Sequence, residues 1–128
     1  RIGVHASHFV GPHVQAHALA LLGPEYLVIC FSLSGRTKDI HDSLKIAKEN
    51  HTPIIAITNF KSSPIAELGD IVLQTANEEF FDGGSLAGKI SQLFISETLV
   101  RGYEINNKIK TVELREKVLR SIIDKVLD

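Results

Sequence analysis

A chain of 128 residues, 44% hydrophobic and 23% charged, has the composition of one folded domain and excludes wholesale disorder. Its net charge is −1, with Lys and Arg scattered along the chain, so it carries no electrostatic footprint for nucleic acid. The single cysteine, Cys30, excludes an intrachain disulfide, and no apolar run approaches the roughly 18 residues of a membrane span. A reduced, cytoplasmic setting and no membrane partner are therefore expected.

Short apolar runs alternate with longer amphipathic ones, the pattern of a parallel sheet with helices on its faces. "IGVHA" (2–6) reads as a first strand and "PHVQAHALALL" (12–22) as a helix stopped by Gly23-Pro24. "YLVICF" (26–31), "PIIAIT" (53–58) and "DIVLQT" (70–75) read as strands, apolar enough to be covered on both faces. Between the first two, "TKDIHDSLKIAKEN" (37–50) places Ile40, Leu44 and Ala47 on one helical face. "GSLAGKISQLFISETLV" (84–100) is expected to bury Leu86, Ile90, Leu93 and Phe94. "YEINNKIK" (103–110) marks a weak boundary before the tail helix "VELREKVLRSIIDKVLD" (112–128). That tail has Leu119, Ile122, Ile123 and Val126 in a stripe, with the pairs Glu113–Lys117 and Glu116–Arg120 on its far face. The fold class is an open, doubly wound α/β domain, a three-layer α/β/α sandwich. Residues 1–108 form the domain proper, and the helix of 109–128 packs on it or on a second subunit. Arg1 lies in the middle of an apolar pattern and the chain has no methionine. It reads as a fragment whose N-terminal part lies upstream.

In open α/β sheets ligands sit outside the carboxyl ends of the strands. "SLSGRT" (32–37) occupies that place, between the 26–31 strand and the following helix. A helix start offers unpaired N–H groups and a positive dipole end, which favour an anion. Ser32, Ser34 and Thr37 add hydroxyl donors, Gly35 permits close backbone approach, and Arg36 adds a charge or points to solvent. Small neutral donors at a helix start suit a phosphate monoester. The absence of "GxxxxGK[ST]" and "GxGxxG" argues against a nucleoside triphosphate and a dinucleotide. Ser34 or Thr37 as a mere helix cap accounts for one such residue. Three hydroxyls and a glycine within this loop favour the anion site.

The order of motifs adds a resemblance. Ser32 to Thr37, Ala56-Ile57-Thr58, Ser63-Pro64-Ile65-Ala66, Gly69-Asp70 and Leu73 resemble, in sequence, the core of the sugar isomerase (SIS) domain, a flavodoxin-like fold. "NEEFFDGGSLAGKISQL" (77–93), with Glu78, Glu79, Phe81, Ile90, Gln92 and Leu93, is most similar to the effector domain of RpiR-type transcriptional regulators. The resemblance covers roughly residues 1–100. It implies a phosphorylated sugar as ligand, its phosphate held by Ser32, Ser34 and Thr37. It also implies a homodimer or homotetramer, and DNA contact only through a helix-turn-helix domain outside this chain. Where the regulators often carry Arg-Ser, this chain has Asp82-Gly83, then Gly84 and Ser85. A carboxylate near a dianion is unfavourable unless it turns away or meets a hydroxyl or amine. Ser85 replaces the missing donor or caps its helix.

Other candidates have plainer readings. His13 and His17 have metal-pair spacing, with His5 and His8 nearby, yet no cysteine or nearby carboxylate completes a set. No metal and no cofactor are expected. Asp39 and Asp42 suit the start of their helix, and Cys30 suits the core. The alternative function is an aldose–ketose phosphosugar isomerase or a related amino-sugar phosphate enzyme. Glu79 would then move the proton between adjacent sugar carbons. The 84–100 helix supplies Gln92 and Glu97 but no histidine, which favours sensing over catalysis.

Overall fold

The structure, a computed structural model, describes residues 4–76 and 86–125. Its helices and strands run α1 (Pro12–Ala20), β1 (Val28–Phe31), α2 (Lys38–Glu49), β2 (Ile54–Thr58), α3 (Pro64–Leu68), β3 (Ile71–Gln74), α4 (Leu86–Asn106) and α5 (Thr111–Ile122), followed by a 3₁₀ turn (Ile123–Lys125). The strands form one parallel sheet in the order β1-β2-β3. Cys30 is level with Ala56, and Ala56 with Val72. A helix connects each parallel pair, as the crossover requires. No helix among the described residues is long and apolar enough to cross a membrane.

Contacts divide the chain into two units, residues 8–93 and residues 94–128 together with those before His8. The first unit contains the sheet. Its core joins Cys30, Ile54 and Ala56 of the strands to Leu19, Leu44, Ala47 and Ile65 of the helices, with Val28, Ile40 and Leu68 packed around them. Ile40, Leu44 and Ala47 therefore do form the inner face of α2. Asn50 donates from Nδ2 to the carbonyls of Leu19 and Ala20, at 3.1 and 3.2 Å, and so ties the α2 exit to the end of α1. α3 is five residues long and absent from the sequence reading. Ser63 caps it, accepting from the Ala66 N–H at 3.3 Å, and Pro64 fills its first turn.

Three expectations are corrected. Val4–Ala6, the described part of the supposed 2–6 strand, is neither strand nor helix, and the described sheet does not include it. The face of the sheet away from this core is only partly covered among the described residues, with Ile57 buried on it. Ile29, Ile55 and Ile71 align on that face, as do Phe31, Ile57 and Leu73, and Ile29, Phe31 and Ile71 are exposed. Leu86, Ile90, Leu93 and Phe94 of α4 are exposed rather than buried. Periodicity identifies a face that prefers to leave water, not what meets it.

In the second unit α4 ends at Asn106, and the break at 107–110 lies inside the 103–110 stretch. Glu104 is buried, with the Arg101 guanidinium donating to it at 3.2 Å. Glu116 pairs with Arg120 as expected, whereas Glu113 pairs with Lys110. Val118, Leu119 and Ile122 of α5 and Ile123 of the 3₁₀ turn form an apolar stripe and are exposed, and Val126 lies outside the described residues.

Candidate functional site

The loop between β1 and α2 lies at the carboxyl edge of the sheet. Its first residue is still held by the ladder: the Ser32 N–H donates to the Ile57 carbonyl at 3.0 Å. Ser32 is thereby fixed and buried at the foot of the loop. The chain then turns, with the Gly35 N–H donating back to the Ser32 carbonyl at 3.1 Å. Gly35 takes φ 65°, a left-handed conformation that a side chain disfavours. Space makes the same demand, since a Cβ on Gly35 would stand 2.0 Å from Ser63 Oγ.

Beyond the turn, Ser34 Oγ accepts the Arg36 N–H at 3.2 Å. This leaves the Ser34 hydroxyl proton available, and Ser34, Arg36 and Thr37 are all exposed. Thr37 occupies the N-cap position of α2 but makes no capping hydrogen bond with its side chain. Its Oγ1 lies instead 3.3 Å from Ser32 Oγ. The helix begins when the His41 N–H donates to the Thr37 carbonyl at 3.0 Å. The N–H groups of Lys38, Asp39 and Ile40 precede that bond and lack intrahelical acceptors. The rival reading, in which Ser34 or Thr37 is only a cap, is not what the side chains do.

The loop thus offers three hydroxyls, two of them adjacent, and the positive end of a 12-residue helix. Such an arrangement has the chemistry to cradle a tetrahedral anion. Asp39 lies in the first turn of α2, where it complements the dipole. Asn59 follows β2, its N–H donating to the Leu33 carbonyl of the loop at 3.0 Å. Its Oδ1 accepts from the Thr75 hydroxyl, while its buried Nδ2 has no partner among the described residues.

Two of the described groups have clearly shifted acidity. Burial raises the Cys30 thiol to about 11, in keeping with an inert core residue. Asp70 is held below the usual carboxylate range first by the Ile54 N–H, 2.8 Å from Oδ2, and then by Lys48, 3.3 Å from Oδ1. Asp70 enters β3 at the opposite edge of the sheet. His51 is the left-handed exit of α2. His5, His8, His13 and His17 are exposed, and no group of three or more potential metal ligands occurs among the described residues. Glu78, Glu79, Asp82 and Ser85 lie outside the described residues. Thr58, Asn59 and Ser63 were not singled out as site residues from the sequence. Thr58 and Ser63 entered only as parts of the "AIT" and "SPIA" motifs and Asn59 not at all, because a buried polar side chain beside a glycine turn gives no periodic signal.

A family model described as SIS domain matches residues 1–101. The HTH-type transcriptional regulator RpiR of Escherichia coli is 35% identical over 94 residues, covering 73% of this chain and 32% of the relative. YbbH, an HTH-type transcriptional regulator of Bacillus subtilis, is 31% identical over 104 residues, covering 80% and 37%. The chain thus spans well under half the length of these relatives. Among solved structures, the Vibrio vulnificus NanR protein complexed with ManNAc-6P superposes with TM-score 0.88 at 23% identity, covering 99% of this chain and 48% of that one. The sugar isomerase domain of the RpiR transcription factor from Sphaerobacter thermophilus gives TM-score 0.59 at 27% identity, covering 88% and 58%. The α/β fold class read from the sequence is the fold of these domains.

Proposed function

The chain belongs to the SIS domain family, and from that premise we propose that it is the phosphosugar-sensing domain of an RpiR-type transcriptional regulator of carbohydrate metabolism. The observation that carries the reading is the geometry of Ser32 and Thr37. Their hydroxyls stand side by side at the start of α2, and the one at the cap position makes no cap. Ser32, Ser34 and Thr37 hold the phosphate, Gly35 lets the backbone approach it, and Arg36 adds charge from the rim. Ser85 supplies a further hydroxyl from the segment before α4.

In this reading the ligand acts by preferring one arrangement of a homodimer or homotetramer, and α5 contributes its apolar stripe to that assembly. A DNA-binding domain outside this chain reads the change, which requires the ligand to distinguish DNA-competent from incompetent states. The setting is cytoplasmic. In this reading the domain senses rather than catalyses, which the HTH-type transcriptional regulators among its relatives support.

The test is a panel of sugar phosphates against the full-length protein, read as thermal stabilisation and by calorimetry. A ligand at about a hundred times its Kd stabilises the fold by about 2.7 kcal/mol. Ser32→Ala combined with Ser34→Ala is expected to abolish that shift and leave the ligand-free melting curve nearly unchanged. Equal stabilisation of the double variant would overturn the site. Interconversion of any sugar phosphate at enzyme-like rates would replace sensing by isomerisation.

A further inference from the structure

We infer that Thr58 and Ser63 are positioning residues for the serine loop, acting on a ligand only through the backbone they hold. The inference rests on the phosphate-binding reading of that loop. Thr58 is fully buried at the end of β2 and Ser63 nearly so. The Thr58 hydroxyl donates to the Leu33 carbonyl at 3.1 Å and accepts the Phe60 N–H at 3.3 Å. With donor and acceptor both engaged inside the protein, it has no proton to give a ligand. The same Leu33 carbonyl also accepts the Asn59 N–H at 3.0 Å. Two residues on, the Gly35 carbonyl accepts the Ile65 N–H at 3.1 Å.

The loop is therefore fastened at two carbonyls, one on either side of Ser34. Ser63 supplies the surface on which it lies, because Gly35 packs so closely over its hydroxyl that even a methyl group would collide. Ser63 is held in turn by accepting the Ala66 N–H. These contacts set the direction of the Leu33–Ser34 peptide, and with it where the Ser34 hydroxyl points relative to Ser32 and Thr37. Removing the Thr58 hydroxyl leaves the Phe60 N–H unpaired and the Leu33 carbonyl with one donor. The loop then samples orientations in which its donors do not converge, and affinity falls by the fraction of time lost.

The experiment compares inorganic phosphate binding to full-length wild type, Thr58→Val, Thr58→Ser and Ser63→Ala, with Thr52→Val as control. Binding is read by calorimetry, and circular dichroism fixes a temperature well below every melting point. Thr52 is also buried, donates to the Leu22 carbonyl at 3.2 Å and stands at the opposite edge of the sheet. Its substitution removes the same chemistry without touching the loop. Thr58→Val is expected to weaken phosphate at least tenfold and Ser63→Ala several-fold. Thr58→Ser should remain within about threefold, and Thr52→Val should lose stability but not affinity. Should Thr58→Val fail to fold, Ser63→Ala decides the matter alone. Unchanged affinity in the folded Thr58→Val or Ser63→Ala protein, with wild type binding, overturns the positioning role while the phosphate loop stands. Equal loss in Thr52→Val also overturns it, since the effect would then be general destabilisation. Absence of phosphate binding in wild type removes the phosphate loop itself.

Discussion

Thr37 Oγ1 stands 3.3 Å from Ser32 Oγ and makes no hydrogen bond to the helix it precedes. The two residues are five apart in sequence, one buried at the end of a strand and the other exposed at the start of a helix. Only the left-handed turn at Gly35 brings them together. A cap residue stabilises its helix by satisfying an N–H; Thr37 leaves that contribution unmade.

Thr37→Val follows directly. The substitution keeps the branched shape and removes a hydroxyl that does not cap, so stability should change by no more than about 0.5 kcal/mol. A hydrogen bond to a charged group contributes about 1.5–3 kcal/mol, so phosphosugar affinity should fall by tenfold or more. Denaturant titration and calorimetry on the same samples separate the two. A large stability loss with affinity retained would show that Thr37 is a cap after all.

Gly35→Ala should be costly on both counts. The new Cβ enters space held by Ser63 Oγ, 2.0 Å away, with Thr58 Oγ1 at 2.9 Å, both on buried residues. A left-handed conformation adds about 1–2 kcal/mol for a residue with a side chain. The expected result is a loss of more than about 2 kcal/mol in chemical denaturation, accompanied by loss of ligand binding. A variant as stable as wild type would mean that the loop has another packing open to it.

What the sequence shows of this molecule depends on how local the signal is. β1, β2, β3 and α2 were legible because a continuous apolar run or a 3.6-residue stripe is written in neighbouring positions. The serine loop was legible for the same reason, since its hydroxyls and glycine fall within six residues of one strand-to-helix junction. α3 was not, because five residues carry too little periodicity to separate a helix from a turn. The partly exposed sheet face and the exposed stripe of α4 failed differently. Leu86, Ile90 and Leu93 do form one side of a helix, but their burial depends on what lies against that side. Thr58 and Ser63 were invisible as positioning groups because their partners, Leu33 and Gly35, are 25 and 28 residues away.

Asp70 gives a pH dependence with a definite sign. Its carboxylate accepts the Ile54 N–H and pairs with Lys48, which holds its acidity below the ordinary value of 3.8. A group with a depressed folded-state pKa contributes stability above its unfolded value and loses that contribution as pH falls through the folded one. Asp70→Asn should therefore be less stable than wild type at neutral pH, and the difference should shrink as pH drops below about 4. The Lys48 part is exposed to solvent and should weaken with salt. Urea melts at several pH values check this; a gap that widens in acid would reverse the assignment.

His51 offers a stabilising change. It leaves α2 at φ 56°, with its N–H on the Lys48 carbonyl at 3.1 Å and the Thr52 N–H on the Ala47 carbonyl at 2.9 Å. This pair of bonds closes a helix with a left-handed residue, a position that glycine fills without steric penalty. Histidine holds it against its own Cβ. His51→Gly removes that strain but adds freedom to the unfolded chain, which costs part of the gain. With about 1–2 kcal/mol of strain relieved and about 0.5–1 kcal/mol returned to the unfolded state, the net should be a rise of several tenths of a kcal/mol or more. The residue is exposed and stands at the edge of the sheet away from the serine loop, so phosphate affinity should not move. Denaturant midpoints for wild type, His51→Gly and His51→Ala order the three. Alanine, which shares the Cβ and lacks the imidazole, should track histidine, and a His51→Ala midpoint equal to that of glycine would show that the side chain beyond Cβ, not the backbone conformation, sets the cost.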